Sequence, residues 1–213
     1  VTYLIIKKIR NILYHYKTKY SNLLVSLLKK ISEKNYEQRD DFYREYILRV
    51  ENFEGSLVAS VFLRDNPDFS TVQPPYIKFP NNKQYTLILA LNGTLVNFKQ
   101  TEVNQGFLRI RPYLFDFLEE ISKFYEIILF TSATQYYADC LINTIESQRK
   151  YFDYKFYRQH NIIIGNDFVK DLTRIGRPLD STIIVDNMPQ NFRLQKENGI
   201  IIKSFWAQDS DDQ

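Results

Sequence analysis

The feature that most constrains this chain is a set of short, almost unbroken apolar runs in its second half. Residues 85–91 read YTLILAL, 125–130 YEIILF, 182–185 TIIV and 199–203 GIIIK. A strand with one wet face alternates apolar and polar residues, whereas a continuous run suits a strand buried on both faces. Between the runs lie stretches with helical character. One opens at Pro112, where proline suits a first turn, and continues to about Lys123; another runs from about Gln135 to Ser147. Residues 107–111 are a further short strand candidate. Residues 162–164 and 168–170 flank Gly165-Asn166, a hairpin composition. Buried strands alternating with helices predict an α/β domain with a parallel sheet.

The first half is written differently. Residues 3–31 contain no Gly or Pro, and Ile5, Ile9, Ile12, Tyr16, Tyr20, Leu23, Leu27 and Ile31 recur at steps of three or four. That is the period of an amphipathic helix. A second helical segment reads from about Asn35 to Asn52. Pro67, Pro74, Pro75 and Pro80 then interrupt regular structure. The expected organisation is a helical N-terminal extension over 1–63, a proline-rich linker over 64–82 and an α/β domain over 83–213.

Charge follows the same division. Residues 1–34 carry eight Lys and Arg against Glu33, a net +7, so the remainder of this +3 chain sums to −4. A basic arm suits an acidic protein, an anionic surface or nucleic acid. Here the arm also has an apolar stripe to bury, so other proteins of a complex, docked through residues 1–52, are the expected partners; nucleic acid is not. The apolar share of 44% supports a sizeable core, and Cys140, alone, excludes an intrachain disulfide and a cysteine zinc cage. That fits an intracellular, reducing setting. No run approaches the roughly 18 apolar residues of a membrane-spanning helix. The chain opens on Val1 and not on Met, which leaves an upstream signal or anchor open.

Parallel sheets carry their sites at the carboxyl ends of the strands. Those ends offer Ala90, Asn92, Gly93 and Thr94, then Thr131 and Ser132, then Lys170, then Asp186 and Asn187. A hydroxyl, a lysine and an aspartate in one crevice have the chemistry of an anion site that also holds a cation. His160, just before the hairpin, reads as a structural loop histidine, and Tyr136 and Tyr137 as packing residues beside the crevice.

Taken in order, three segments carry a resemblance: YTLILALNGTLV; RIRPYLFDFLEEISKFYEIILFTSATQYYAD; and YRQHNIIIGNDFVKDLTRIGRPLDSTIIVDNMPQNFRLQKENGIIIKSFW. Over residues 85–206 they resemble the small C-terminal-domain phosphatases of RNA polymerase II, with Dullard and the NLI-interacting-factor-like group, in the haloacid dehalogenase superfamily. The resemblance implies a Rossmann-like haloacid dehalogenase fold with a parallel central sheet and a β-hairpin insertion, preceded here by the α-helical extension. It also implies Mg2+-dependent aspartyl phosphatase chemistry on phosphoserine or phosphothreonine. In that family the first motif reads Asp-x-Asp-x-Thr: the first aspartate attacks phosphorus and binds metal, and the second is general acid and then base. By matching position, Thr94, Thr131 and Lys170 are the phosphate-binding remnant, and Asp186 and Asn187 a weak or empty metal site.

The departure is at the chemical positions. Ala90 stands where the nucleophile is expected and Asn92 where the general acid is expected. Alanine has no lone pair to attack with, and asparagine cannot donate and retake a proton near neutral pH. The leading expectation is therefore a pseudophosphatase: a phosphatase-like module acting as a binding or structural subunit, with no cofactor. Mg2+ is expected only if activity is retained, and a phosphoprotein segment could still visit the crevice. One alternative is an active serine/threonine phosphatase seen as an inactivated variant. Another is a phosphatase-like receptor of the mitochondrial presequence translocase, which residues 73–76 (QPPY) resemble and which requires a targeting segment upstream. The end of the chain, from Trp206, looks like the start of the family's final helix.

Overall fold

The computed structural model describes residues 47–51, 73–80, 82–102 and 105–206. In chain order the strands are β1 (Ile47–Glu51), β2 (Tyr85–Leu89), β3 (Val96–Glu102), β4 (Gln105–Ile110), β5 (Tyr125–Phe130), β6 (Tyr154–Phe156), β7 (Ile162–Ile164), β8 (Asp167–Val169), β9 (Thr182–Asp186) and β10 (Gly199–Ile201). Two helices, α1 (Leu114–Ile121) and α2 (Gln135–Ile145), lie between them. The central sheet has the order β10-β9-β2-β5-β6, and every pair in it is parallel. This is the Rossmann-like architecture that the resemblance implies.

The apolar runs do what their composition requires. Along β2, Leu87 and Leu89 enter one core and Ile88 the other; along β5, Ile127 and Leu129 face one side and Ile128 and Phe130 the other. Period-two alternation thus survives inside a fully apolar run, since both faces are covered. Each such side chain contributes roughly 1.5–3 kcal/mol on burial. The first core is closed by the helices. Leu114, Phe117, Leu118 and Ile121 of α1, and Ala138, Leu141, Ile142 and Ile145 of α2, form stripes at helical spacing. The second core is closed by Ile77, Leu172, Ile175 and Phe192. The expected hairpin is present as β7 and β8, with Gly165 between them at φ 66.

Two expectations are corrected. Residues 47–51, placed by periodicity at the end of a helix, form β1, which pairs antiparallel with β4 from Ile47↔Arg109 to Glu51↔Gln105. Tertiary pairing beside β4 overrides a weak local helical pattern, and the β-branched Ile47 and Val50 favour a strand. The extension over 1–63 is therefore not helical throughout. The 64–82 stretch is also more than a spacer over residues 73–80. The Tyr76 and Ile77 N–H groups donate to the carbonyls of Arg174 and Ile175 at 3.0 and 2.9 Å, and Ile77 is buried. We refer to residues 73–80 as the strap. The expected helix over residues 3–31, its basic arm, and the tail after Trp206 lie outside the described residues.

Candidate functional site

The turn after β2 is built from backbone. The Leu91 carbonyl accepts from the N–H groups of Thr94, Leu95 and Val96 at 3.2, 2.9 and 3.2 Å, and Gly93 N–H donates to Val96 at 2.8 Å. Gly93 sits at φ 72, and a Cβ there would lie 2.7 Å from Asn187 Nδ2, so conformation and space both require glycine. The buried Arg111 guanidinium holds this turn from below. Its Nε donates to the Thr94 carbonyl at 2.5 Å, and its Nη2 to Gly93 and Lys203 carbonyls at 3.3 and 2.7 Å. Phe205, whose ring lies under Arg111 at 5.0 Å, donates its N–H to the Gly93 carbonyl at 2.8 Å.

The candidate residues converge as the parallel sheet requires. Ala90 is buried at the end of β2, with its N–H on the Val185 carbonyl at 3.0 Å, beside Asp186. Asn92 is exposed, and its Oδ1 accepts from the Tyr137 hydroxyl at 3.3 Å. Thr94 donates to Asn187 Oδ1 at 3.1 Å and accepts from Asn187 N–H at 3.2 Å, while Asn187 Nδ2 donates to Ser204 at 3.0 Å. Thr131, at the end of β5, accepts from Ala133 N–H at 3.1 Å through its hydroxyl. The preceding ring, Phe130, lies 5.9 Å from Lys170 Nζ.

Lys170 and Asp186 form the electrostatic centre. Their side chains are 1% and 0% exposed and meet at 2.6 Å. Asp186 Oδ2 accepts from Lys170 Nζ and from Asn191 Nδ2 at 3.0 Å; Oδ1 accepts from Met188 N–H at 2.9 Å and from the same Asn191 amide at 3.1 Å. Three donors, Lys170, Asn191 and Met188, thus share the two carboxylate oxygens. Among the described residues no group of three or more His, Cys, Asp or Glu could hold a metal. Asn191, Arg111 and Ser204 were not anticipated from sequence. Asn191 had a local signal, being in the short turn after Asp186, whereas the roles of Arg111 and Ser204 depend on distant partners.

The aromatic expectations are refined by the structure. Tyr137 packs edge-on against Phe98 at 6.2 Å, and burial pushes its hydroxyl up to about 12. Tyr136 is exposed. His160 is a structural residue: it lies against Tyr76 and Phe156, each at 5.0 Å, and its Nδ1 accepts from Tyr157 N–H at 3.1 Å. Burial pushes it down to about 4.

An α/β domain with these strand-end residues is a phosphatase-like domain, and comparison with known proteins places it further. Residues 85–213 match the model of the NLI interacting factor-like phosphatase family, and the chain belongs to that family. It is 33% identical over 151 residues to CTD small phosphatase-like protein 3 of Caenorhabditis elegans, covering 64% of this chain and 52% of that protein. It is 37% identical over 106 residues to nuclear envelope morphology protein 1 of Schizosaccharomyces pombe, covering 50% and 22%. The chain thus spans about half, or less, of the length of these curated relatives. Among solved structures, Fcp1, an essential RNA polymerase II CTD phosphatase, aligns with a TM-score of 0.48 at 18% identity, covering 57% of this chain and 42% of that one.

Proposed function

We propose that this chain is a pseudophosphatase: a phosphatase-like domain retained as a protein-binding or structural subunit of an intracellular assembly. The observation that carries the reading is Ala90 and Asn92 at the end of β2, where the family resemblance expects a nucleophile and a general acid. No atom of Ala90 can attack phosphorus, and the Asn92 amide cannot shuttle a proton. The donor set does not fit Mg2+ either. A magnesium ion needs near-octahedral oxygen ligands. Here Ala90 supplies no side-chain oxygen, both Asp186 oxygens already accept from Lys170, Met188 and Asn191, and Asn187 Oδ1 accepts from Thr94.

What remains is a neutral crevice. The Lys170 charge is met by Asp186 and the amides from Gly93 to Val96 are used within the turn, so a phosphate-bearing segment would find Thr131 and little net attraction. We expect millimolar affinity at best for a phosphoserine peptide. Partners are expected to dock instead through the N-terminal 1–52 region, of which β1 is already held by the domain's own β4.

A second reading, an active serine/threonine phosphatase carrying inactivating replacements, is favoured by the presence of Thr131, Lys170 and Asp186 at the carboxyl ends of β5, β8 and β9. A hydrolysis assay tests the first reading, and a reversion variant separates it from the second. The full chain should give only background hydrolysis of p-nitrophenyl phosphate with Mg2+, and metal-dependent turnover surviving rigorous purification would overturn the proposal. Ala90→Asp combined with Asn92→Asp then reports on the surroundings: recovered turnover means an intact phosphatase shell, and continued inactivity means that the shell has drifted too.

A further inference from the structure

We infer that Lys170 is the resident cation of this crevice, and that Asp186 serves as its ligand and not as a metal's. The inference rests on the pseudophosphatase reading, because that reading is what removes a second carboxylate at position 90. Both partners are fully buried, at 2.6 Å, and among the described residues Asp186 is the carboxylate in ion-pair reach of Lys170. The arrangement is cooperative. Asn191 forks its amide onto both Asp186 oxygens, and its carbonyl accepts the Lys170 N–H at 2.6 Å. Met188 N–H caps Asp186 Oδ1 at 2.9 Å, and the Asp186 carbonyl accepts from Ile202 N–H at 3.1 Å, joining β10 to the same centre. The ion pair thus joins the ends of β8 and β9, and backbone hydrogen bonds bring β10 and the loop after β9 to the same place. With Ala90 apolar, a single positive charge balances the single carboxylate, and a divalent ion would leave the crevice over-charged.

Stability should thus be independent of metal, and the metal requirement should reappear when the lysine is taken away. The test is thermal melting of the full chain in EDTA and in Mg2+. A site of roughly 0.1 mM affinity would raise Tm by several degrees at about 10 mM Mg2+. The wild-type chain should melt at the same temperature in both. Lys170→Met should melt many degrees lower in EDTA, because Asp186 is left buried without its counter-charge, and should regain part of that loss in Mg2+. A wild-type Tm that rises with Mg2+ overturns the inference. So does a Lys170→Met chain that melts like wild type, or one that folds and ignores Mg2+. Should that variant not fold, electron paramagnetic resonance of Mn2+ with the wild-type chain decides: free Mn2+ is expected, and bound Mn2+ overturns the idea. Metal binding without hydrolysis defeats this inference alone, whereas metal-dependent hydrolysis also defeats the pseudophosphatase reading.

Discussion

Two buried ion pairs sit at opposite ends of the same sheet, and they do different work. At the carboxyl end, Lys170 meets Asp186 in the crevice where the family's chemistry is expected. At the amino end, Arg177 grips Glu126 of β5 in a bidentate pair, Nε to Oε2 at 2.6 Å and Nη2 to Oε1 at 2.8 Å. Arg177 Nη1 also donates to the Phe79 carbonyl at 2.9 Å, which ties the strap down. The amino-end pair fastens one chain segment to another, so its geometry explains its presence. The carboxyl-end pair fastens residues that the loop after β9 already brings together. Burying two charges for so local a result is expensive, which fits a site whose residue types were set by other needs.

The largest expected effect comes from breaking either pair by one partner. Glu126→Gln should cost about 3–5 kcal/mol, since Arg177 is left buried with only carbonyls to serve. Denaturant melts at constant slope measure this. Amide exchange sharpens the comparison: Glu126→Gln should speed exchange at Tyr76 and Ile77, whose N–H groups pin the strap, while Lys170→Met should leave those two amides protected. Equal acceleration in both variants would mean that the two ends are not separable.

Next comes the strap itself. Ile77 fills the second core with Ile88, Phe130, Leu172 and Ile175, so Ile77→Ala should cost about 3 kcal/mol. A loss within ~0.5 kcal/mol, the range of a surface change, would return residues 73–80 to the status of a spacer.

The contrast between the ends also marks what could be read from sequence. The strands β2, β5 and β9 were legible because burial on both faces forces an unbroken apolar run, a signal few other structures produce. The candidate residues followed, since strand ends are where parallel sheets gather side chains. The β1 strand was not legible: Ile47, Leu48 and Val50 fit a helical stripe as well as a strand, and only β4 decides between them. β3 is not among the expected strands, although Val96 and Phe98 alternate with Asn97 and Lys99. The strap was misjudged for a different reason. Its prolines correctly announce an extended backbone, but whether that backbone packs depends on Arg174, Ile175 and Arg177, about a hundred residues away.

Acid should act through the histidine under the strap. His160 is held at about 4 in the folded chain by burial, against an ordinary value of 6.5. The unfolded chain therefore binds the proton first, and stability should fall as pH drops from 6.5 towards 4 and level off below that for this group. Solvent screening at this partly exposed position reduces the full linkage value to about 2 kcal/mol. Glu146 adds to the same trend at lower pH. Burial opposes its ionisation, but hydrogen bonds from Lys155 and from the Phe152 and Tyr151 amides prevail and hold it below 4.5, so its contribution is lost as pH falls past that value. His160→Phe should flatten the upper part of the pH profile; an unchanged slope between pH 6.5 and 4 would assign the effect elsewhere.

The smallest effect is expected at the mouth of the crevice. Tyr137→Phe removes one hydroxyl, whose described hydrogen bond is the 3.3 Å contact to Asn92 Oδ1, on a side chain that is exposed to water. Asn92 can turn to solvent when that bond is lost, so neither partner is stranded, and the change should stay within ~0.5 kcal/mol. The ring keeps its packing on Phe98, which carries most of what Tyr137 contributes. Adding Asn92→Asp makes the test sharper. A carboxylate at position 92 would accept from the Tyr137 hydroxyl and raise its titration further, because the neighbouring negative charge opposes phenolate formation. Absorbance titration of Asn92→Asp, with Tyr137→Phe in the same background to assign the signal, reads that shift directly. A shift downward, or a Tyr137→Phe variant that loses several kcal/mol, would mean that the Asn92 side of the crevice is held as firmly as the Lys170 side.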